Sequence, residues 1–72
     1  MTNIIWTTTT IGKGKPFYTA SHGKWDAKVT DQGACYNLQV LFQGGSFEMW
    51  YGSSIAACKN QFRKFLKKRG EL

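Results

Sequence analysis

Side chains that could carry catalysis or hold a metal ion are scarce in this sequence of 72 residues. It contains four acidic residues, one histidine and two cysteines. The sequence offers no paired nucleophile and base, no paired carboxylates and no cluster with the spacing of metal ligands. We therefore expect a protein that is not an enzyme and that needs neither a metal ion nor another cofactor.

Long apolar runs are also missing. No stretch approaches the roughly 18 apolar residues that a membrane span needs, and the N-terminal residues lack the basic region of a signal peptide. We expect no membrane association and a cytoplasmic location, where cysteines stay reduced. Cys35 and Cys58 have no Cys-x-x-Cys spacing for a zinc site, and strand alternation and helical periodicity put them on opposite sides of the predicted sheet, so we expect two free thiols.

Positive charge, in contrast, is in excess. Ten Lys and Arg residues stand against the four acids, for a formal net charge of +6. Such a balance indicates an acidic partner, either nucleic acid or an acidic protein surface. The length favours one domain over residues 1–72, and three Trp, three Tyr and five Phe residues indicate a packed core, a stacking surface, or both.

Alternation of apolar and polar residues predicts the strands. Turn-forming residues separate strands at about 3–10, 24–31, 35–43 and 46–51, with a basic Gly/Pro loop at 12–16. A short strand at 17–20 is compatible with the sequence, which leaves open whether residues 1–20 join the main sheet. In the last strand, alternation assigns Phe47, Met49 and Tyr51 to the core and Glu48 and Trp50 to the outside.

A helical period follows. Ser54 is a suitable N-cap, and the apolar residues that recur on one helical face are Ile55, Cys58, Phe62, Phe65 and Leu66. Gly70 is a suitable stop, so the predicted helix covers about 54–69. The predicted fold is α+β: a small antiparallel meander of three to four strands, packed on one face by a single C-terminal helix.

The helix also holds most of the positive charge. Its candidate binding residues are Lys59, Arg63, Lys64, Lys67 and Lys68. They could contact phosphates, or they could form an ordinary solvated face. The loop lysines Lys13 and Lys15 could add phosphate contacts, although the spacing of a P-loop is absent.

The uncovered sheet face is the second candidate surface. Alternation places several polar residues there with one tryptophan; those with a predicted binding role are Lys24, Lys28, Gln39 and Trp50. Such a face could enter a major groove, stack unpaired bases on Trp50, or join two copies as a homodimer. An ordinary exposed sheet face is the alternative interpretation.

Two resemblances bear on these surfaces. Residues 23–29 (Gly-Lys-Trp-Asp-Ala-Lys-Val), followed by two predicted strands and a helix beginning Ile55-Ala56-Ala57, resemble the ethylene-response-factor type of DNA-binding domain. That family, like the arm-binding domains of phage integrases, reads DNA with a three-stranded sheet. The arginine-rich first strands of those domains are missing here. The last strand and helix are similar to the second half of a double-stranded-RNA-binding domain, without its Lys-Lys-x-Ala-Lys helix start.

Two hypotheses about function follow. The first is a small nucleic-acid-binding module that uses the basic helix face and loop; in size and composition the chain resembles accessory proteins of phages and mobile elements. The second is a protein-binding inhibitor, for example of a host defence complex. Its cations would meet carboxylates, and Trp50 or Leu41 would be the apolar anchor of the interface.

Overall fold

The computed structural model describes residues 4–10 and 12–72. Five strands form one sheet in the order in which they follow along the chain, and each pairs antiparallel with the next. Their bounds are β1 Trp6–Thr9, β2 Phe17–His22, β3 Trp25–Asp31, β4 Tyr36–Phe42 and β5 Gly45–Gly52. The helix α1, Ile55–Lys68, follows β5 and packs on one face of the sheet. The fold is therefore α+β, with a meander and one C-terminal helix.

The strand count corrects the prediction of three to four strands, because residues near the N-terminus do join the sheet. β1 pairs with β2 from Trp6 opposite Ala20 to Thr9 opposite Phe17, and β2 pairs with β3 over its whole length. The strand expected at 3–10 is shorter than predicted, and its first residue lies outside the described residues. Threonine-rich β1 is joined to the sheet because Trp6 reaches the core.

Both ends of α1 are capped by local chemistry. The Ser54 hydroxyl accepts a hydrogen bond from the Ala57 backbone N–H at 3.1 Å, which satisfies one free donor of the first turn. At the other end, the backbone N–H groups of Gly70 and Glu71 donate to the carbonyls of Lys67 and Leu66. This Schellman pattern needs a left-handed residue, and Gly70 supplies it with φ of 77°.

The core lies between α1 and the three central strands. It is formed by side chains less than about a tenth exposed: Ala20, Trp25, Ala27, Val29, Leu38, Val40, Cys58, Phe62 and Leu66. On β3 and β4 the alternation is regular, since Val29 faces Leu38 and Ala27 faces Val40 across the ladder. The alternate residues of these strands form the opposite surface, here called the open sheet face.

On β5 the predicted sides were wrong for four residues. Trp50 lies opposite Leu38 and packs against the core, whereas Met49 and Tyr51 are 51% and 58% exposed on the open sheet face. Glu48 lies opposite Val40, on the side of the helix. The register that turns Trp50 inward buries the larger apolar surface, and Tyr51 keeps its hydroxyl in water.

A β-bulge explains why simple alternation failed. The register shifts between Val40 and Leu41: Val40 lies opposite Glu48 and Leu41 opposite Ser46, so Phe47 is the extra residue of β5. Phe47 packs against Trp25 and is therefore on the helix side, as predicted, although it remains 48% exposed. A bulge places two successive side chains on one side of the sheet, here Phe47 and Glu48.

Candidate nucleic-acid interface

Four exposed cations form what we call the helix outer face: Arg63, Lys64, Lys67 and Lys68. The buried residues Cys58, Phe62 and Leu66 turn the opposite side of α1 to the sheet, so these cations point into solvent. Side chains three or four positions apart on a helix are neighbours. The four cations therefore form one contiguous positive surface.

No acidic side chain within 4.0 Å neutralises this surface among the residues that the structure describes. The described residues do form an ion pair elsewhere, between Lys15 Nζ and Asp31 Oδ1 at 3.6 Å, near the loop between β1 and β2. The helix outer face thus keeps its full charge available to an external anion. Lys67 and Lys68 also lie in the last turn, where cations stabilise the negative end of the helix dipole.

Lys59 is placed differently from the other helix cations. It is half-buried, and its Nζ lies 5.6 Å from the Trp6 ring centroid and 5.3 Å from that of Tyr18. Contacts of this kind hold an ammonium group over aromatic faces. These contacts link α1 to β1 and β2. Lys59 therefore lies at the edge of the helix outer face.

The remaining predicted cations lie elsewhere. Lys13 and Lys15 belong to the loop between β1 and β2, at the end of the sheet where α1 begins. Lys24 is in the turn between β2 and β3, at the other end. Lys28 lies opposite Gln39 on the open sheet face, its Nζ 4.7 Å from the Phe17 ring centroid. The structure therefore divides the predicted site among the helix outer face, the open sheet face and the two ends of the sheet.

The predicted position of Trp50 is wrong. It was expected on the open sheet face as a stacking or anchoring residue, but it is half-buried on the helix side. A Cβ added to Gly52 would lie 2.8 Å from Trp50 Cη2 and 3.2 Å from Cys58 Sγ. The indole therefore occupies the space that a side chain at position 52 would need.

Sequence reasoning missed an arginine held by aromatic rings. The Arg69 guanidinium carbon lies 5.0 Å from the Trp25 ring centroid, 4.7 Å from that of Phe47 and 4.8 Å from that of Phe65. Phe42 extends this group, 4.6 Å from Trp25. We call Trp25, Phe42, Phe47 and Phe65 the aromatic cluster. The i, i+4 spacing of Phe65 and Arg69 was visible in the sequence; the contribution of three strands was not.

A cleft of about 390 Å³ adjoins the aromatic cluster. It lies between β5 and the C-terminal half of α1, and its walls are Glu48, Gln61, Lys64, Phe65, Lys68 and Arg69. Three cations and one acid give it a positive balance. The volume is within the range of small-ligand sites.

Among the described residues that line this cleft there is no cysteine or histidine, and Glu48 is the one carboxylate. Burial raises the pKa of the Cys58 thiol above its ordinary value, although a hydrogen bond with the Gly52 backbone opposes this effect. His22 Nε2 donates to the Glu71 carbonyl at 2.9 Å, which ties the C-terminal residues to β2. Within residues 4–10 and 12–72, no three His, Cys, Asp or Glu side chains are grouped as metal ligands would be.

No helix in the described part of the chain is long and apolar enough to cross a membrane.

Comparison with protein-family models, with curated proteins and with solved structures finds no match. The class that the structure defines is an antiparallel five-stranded α+β fold with a basic helix on its surface. Function is therefore inferred from the geometry of this chain alone.

Proposed function

We propose that this protein is a small non-enzymatic module that binds nucleic acid through the helix outer face. The observation that carries the proposal is the set of four exposed cations on α1 without an acidic partner among the described residues. Cations in this arrangement release counterions from a phosphate backbone, which favours binding without any base contact. Lys13, Lys15 and Lys28 lie outside this contact surface, in the loop between β1 and β2 and on the open sheet face.

A binding site of this kind needs a polyanion rather than one carboxylate. Four exposed cationic side chains on one helix face are complementary to a row of phosphates, whose charges repeat at every nucleotide. The four cations fall within the six residues 63–68, about 9 Å of helix, so their side chains can reach a short run of adjacent phosphates. These features support nucleic acid over a small acidic ligand.

A second candidate is a protein-binding regulator, favoured by the exposed apolar side chains of Met49 and Tyr51. In this alternative the helix outer face meets an acidic target surface and the open sheet face supplies apolar contacts. The two surfaces lie on opposite sides of the sheet, so one flat partner cannot touch both. For this reason we prefer the nucleic-acid proposal.

The test is fluorescence anisotropy with labelled single- and double-stranded DNA and RNA, from about 50 to 300 mM salt. If up to four phosphates are neutralised, the logarithm of the binding constant should fall with the logarithm of salt concentration with a slope of about −3. Binding weaker than about 100 μM at physiological salt would equal the general attraction of a basic surface. That result would contradict the proposal and favour a search for a protein partner.

A further inference from the structure

We propose that the cleft between α1 and β5 is a site for single-stranded nucleic acid, with a phosphate on Arg69 and an unpaired base against the exposed ring of Phe47. This inference rests on the proposed function for its polyanion and adds the strand state that the protein prefers. Three independent features support it: the charge of the cleft, the fixed position of Arg69, and the exposure of the aromatic rings.

The cleft combines charge with an aromatic wall. Lys64, Lys68 and Arg69 surround it, Gln61 adds an amide, and Phe65 forms part of its apolar wall. Lys64 and Lys68 also belong to the helix outer face, so a backbone that follows α1 arrives at the cleft without leaving positive surface. Glu48 is the one acidic residue among the lining side chains. The cleft is therefore complementary to phosphate.

Arg69 is positioned for phosphate before any ligand arrives. Three rings lie within 5.0 Å of its guanidinium carbon, and no acid among the described residues lies within 4.0 Å of its nitrogens. Aromatic contacts restrict the guanidinium without using its N–H donors as a carboxylate would. A planar fork with free donors matches two phosphate oxygens. The lysines nearby supply charge but no fixed geometry.

The exposed ring of Phe47 lies beside this guanidinium, and a second exposed ring, Phe42, packs on Trp25 in the same aromatic cluster. Phe47 is 48% exposed and Phe42 is 38% exposed, whereas Trp25 beneath them is buried. The bulge turns Phe47 toward the helix side, where it meets Phe65 at 5.9 Å and Arg69 at 4.7 Å between centres. A protein alone gains nothing by leaving such rings in water. A stacked base would cover them.

An aromatic ring beside a phosphate-binding guanidinium favours single strands over duplexes. A base inside a duplex is stacked on its neighbours, and its face cannot reach an aromatic ring unless it unpairs. Proteins that hold single strands combine a positive groove with aromatic stacking, and each stacked base contributes substantially. Phe47 beside Arg69 provides one stacking position and one phosphate position at the end of a positive helix.

The experiment compares a 12-nucleotide oligo-dT and oligo-U with a DNA hairpin of 12 base pairs that is closed by a polyethylene-glycol linker and so has no unpaired bases, by anisotropy at 100 mM salt. The matched variants are Phe47→Leu and Met49→Leu, because Phe47 and Met49 are similarly exposed but lie on opposite sides of β5. We expect Phe47→Leu to weaken single-strand binding about tenfold and hairpin binding by less than about twofold. Met49→Leu should change neither, and Phe47→Tyr, which keeps a ring, should retain single-strand affinity.

Wild-type protein that binds single strands and hairpin equally, with Phe47→Leu unchanged in both, would overturn this inference and leave the proposed function intact. Wild-type protein that binds none of the three probes would overturn both. Phe47 also packs in the aromatic cluster, so thermal unfolding must accompany each variant. Should Phe47→Leu fail to fold, the ring signals of Phe47 in wild-type protein, followed by NMR during titration with oligo-dT, give the answer. Signals that move support stacking, and signals that stay fixed refute it.

Discussion

The two faces of the sheet are built from the same strands and have opposite properties. On the helix side, Val29 and Leu38 are fully buried beneath α1. On the open sheet face, Met49 and Tyr51 are more than half exposed. The one helix of the described residues, α1, covers one face of the sheet and leaves the other exposed. The apolar core and the principal charged surface therefore lie on the same side of the sheet, because α1 buries its apolar stripe against the sheet and presents its cations to solvent.

The faces also differ in how their polar groups are satisfied. Asn37, on the open sheet face opposite Thr30 and Tyr51, is only 7% exposed. Its amide Nδ2 is buried and has no hydrogen-bond partner among the described residues. A buried donor without an acceptor costs stability. The helix-covered core, by contrast, is formed by apolar side chains, for which this cost does not arise.

The largest expected effect is the difference in unfolding free energy lost when a large side chain is removed from each face of the sheet. Phe62 is fully buried and contacts Trp6 edge-on, so Phe62→Ala should lower the free energy of unfolding by about 3–5 kcal/mol. Tyr51→Ala on the open sheet face should lower it by less than about 1 kcal/mol. Urea denaturation measures both. Equal losses would show that the open sheet face also packs against something in solution.

Charge reversal should distinguish the faces by binding. We expect Lys64→Glu with Lys67→Glu to weaken nucleic-acid binding about 100-fold and to reduce the magnitude of the salt slope by about 2. Lys13→Glu with Lys28→Glu changes the net charge equally but lies away from the helix outer face. This control should weaken binding by less than about fivefold. Anisotropy titrations that give the same loss for both pairs would place the contact surface elsewhere.

Gly52 tests the register of β5. Gly52→Ala places a methyl group against Trp50 and Cys58, and overpacking of this kind should destabilise the protein by about 1–3 kcal/mol. Gly45→Ala is the matched control, since a Cβ there would meet only the Phe42 carbonyl oxygen at an ordinary 3.7 Å. Thermal unfolding monitored by tryptophan fluorescence checks both. An unchanged Gly52→Ala midpoint would mean that Trp50 does not lie over position 52.

The smallest effect has the opposite sign. Asn37→Leu removes the buried amide that lacks a partner and should stabilise the protein by about 1 kcal/mol. Thr30→Val, at the neighbouring position in register, is a control for added apolar surface on the same face. Chemical denaturation of both variants measures the difference. A loss of stability in Asn37→Leu would contradict this prediction and show that the amide is hydrogen-bonded in solution.

Interactions between residues near in sequence determine much of the fold. The serine cap, the apolar stripe and the terminal glycine together define α1, because capping and helical periodicity act within a few residues. The alternation of β3 and β4 identified the core positions on both strands for the same reason. The exposed cations of the helix outer face follow from the position of the stripe, since the side of a helix opposite its apolar stripe faces water.

Long-range contacts decided the rest. Whether Trp50 or Tyr51 turns inward depends on a bulge and on pairing with β4, and a shift of one residue exchanges the two sides of a strand. The contacts of Arg69 with three aromatic rings bring together α1, β3 and β5, which no local pattern connects. The separation of Lys28 from the helix cations likewise depends on which sheet face the helix covers. Local patterns specify elements, whereas the register and the packing of those elements assemble the cleft.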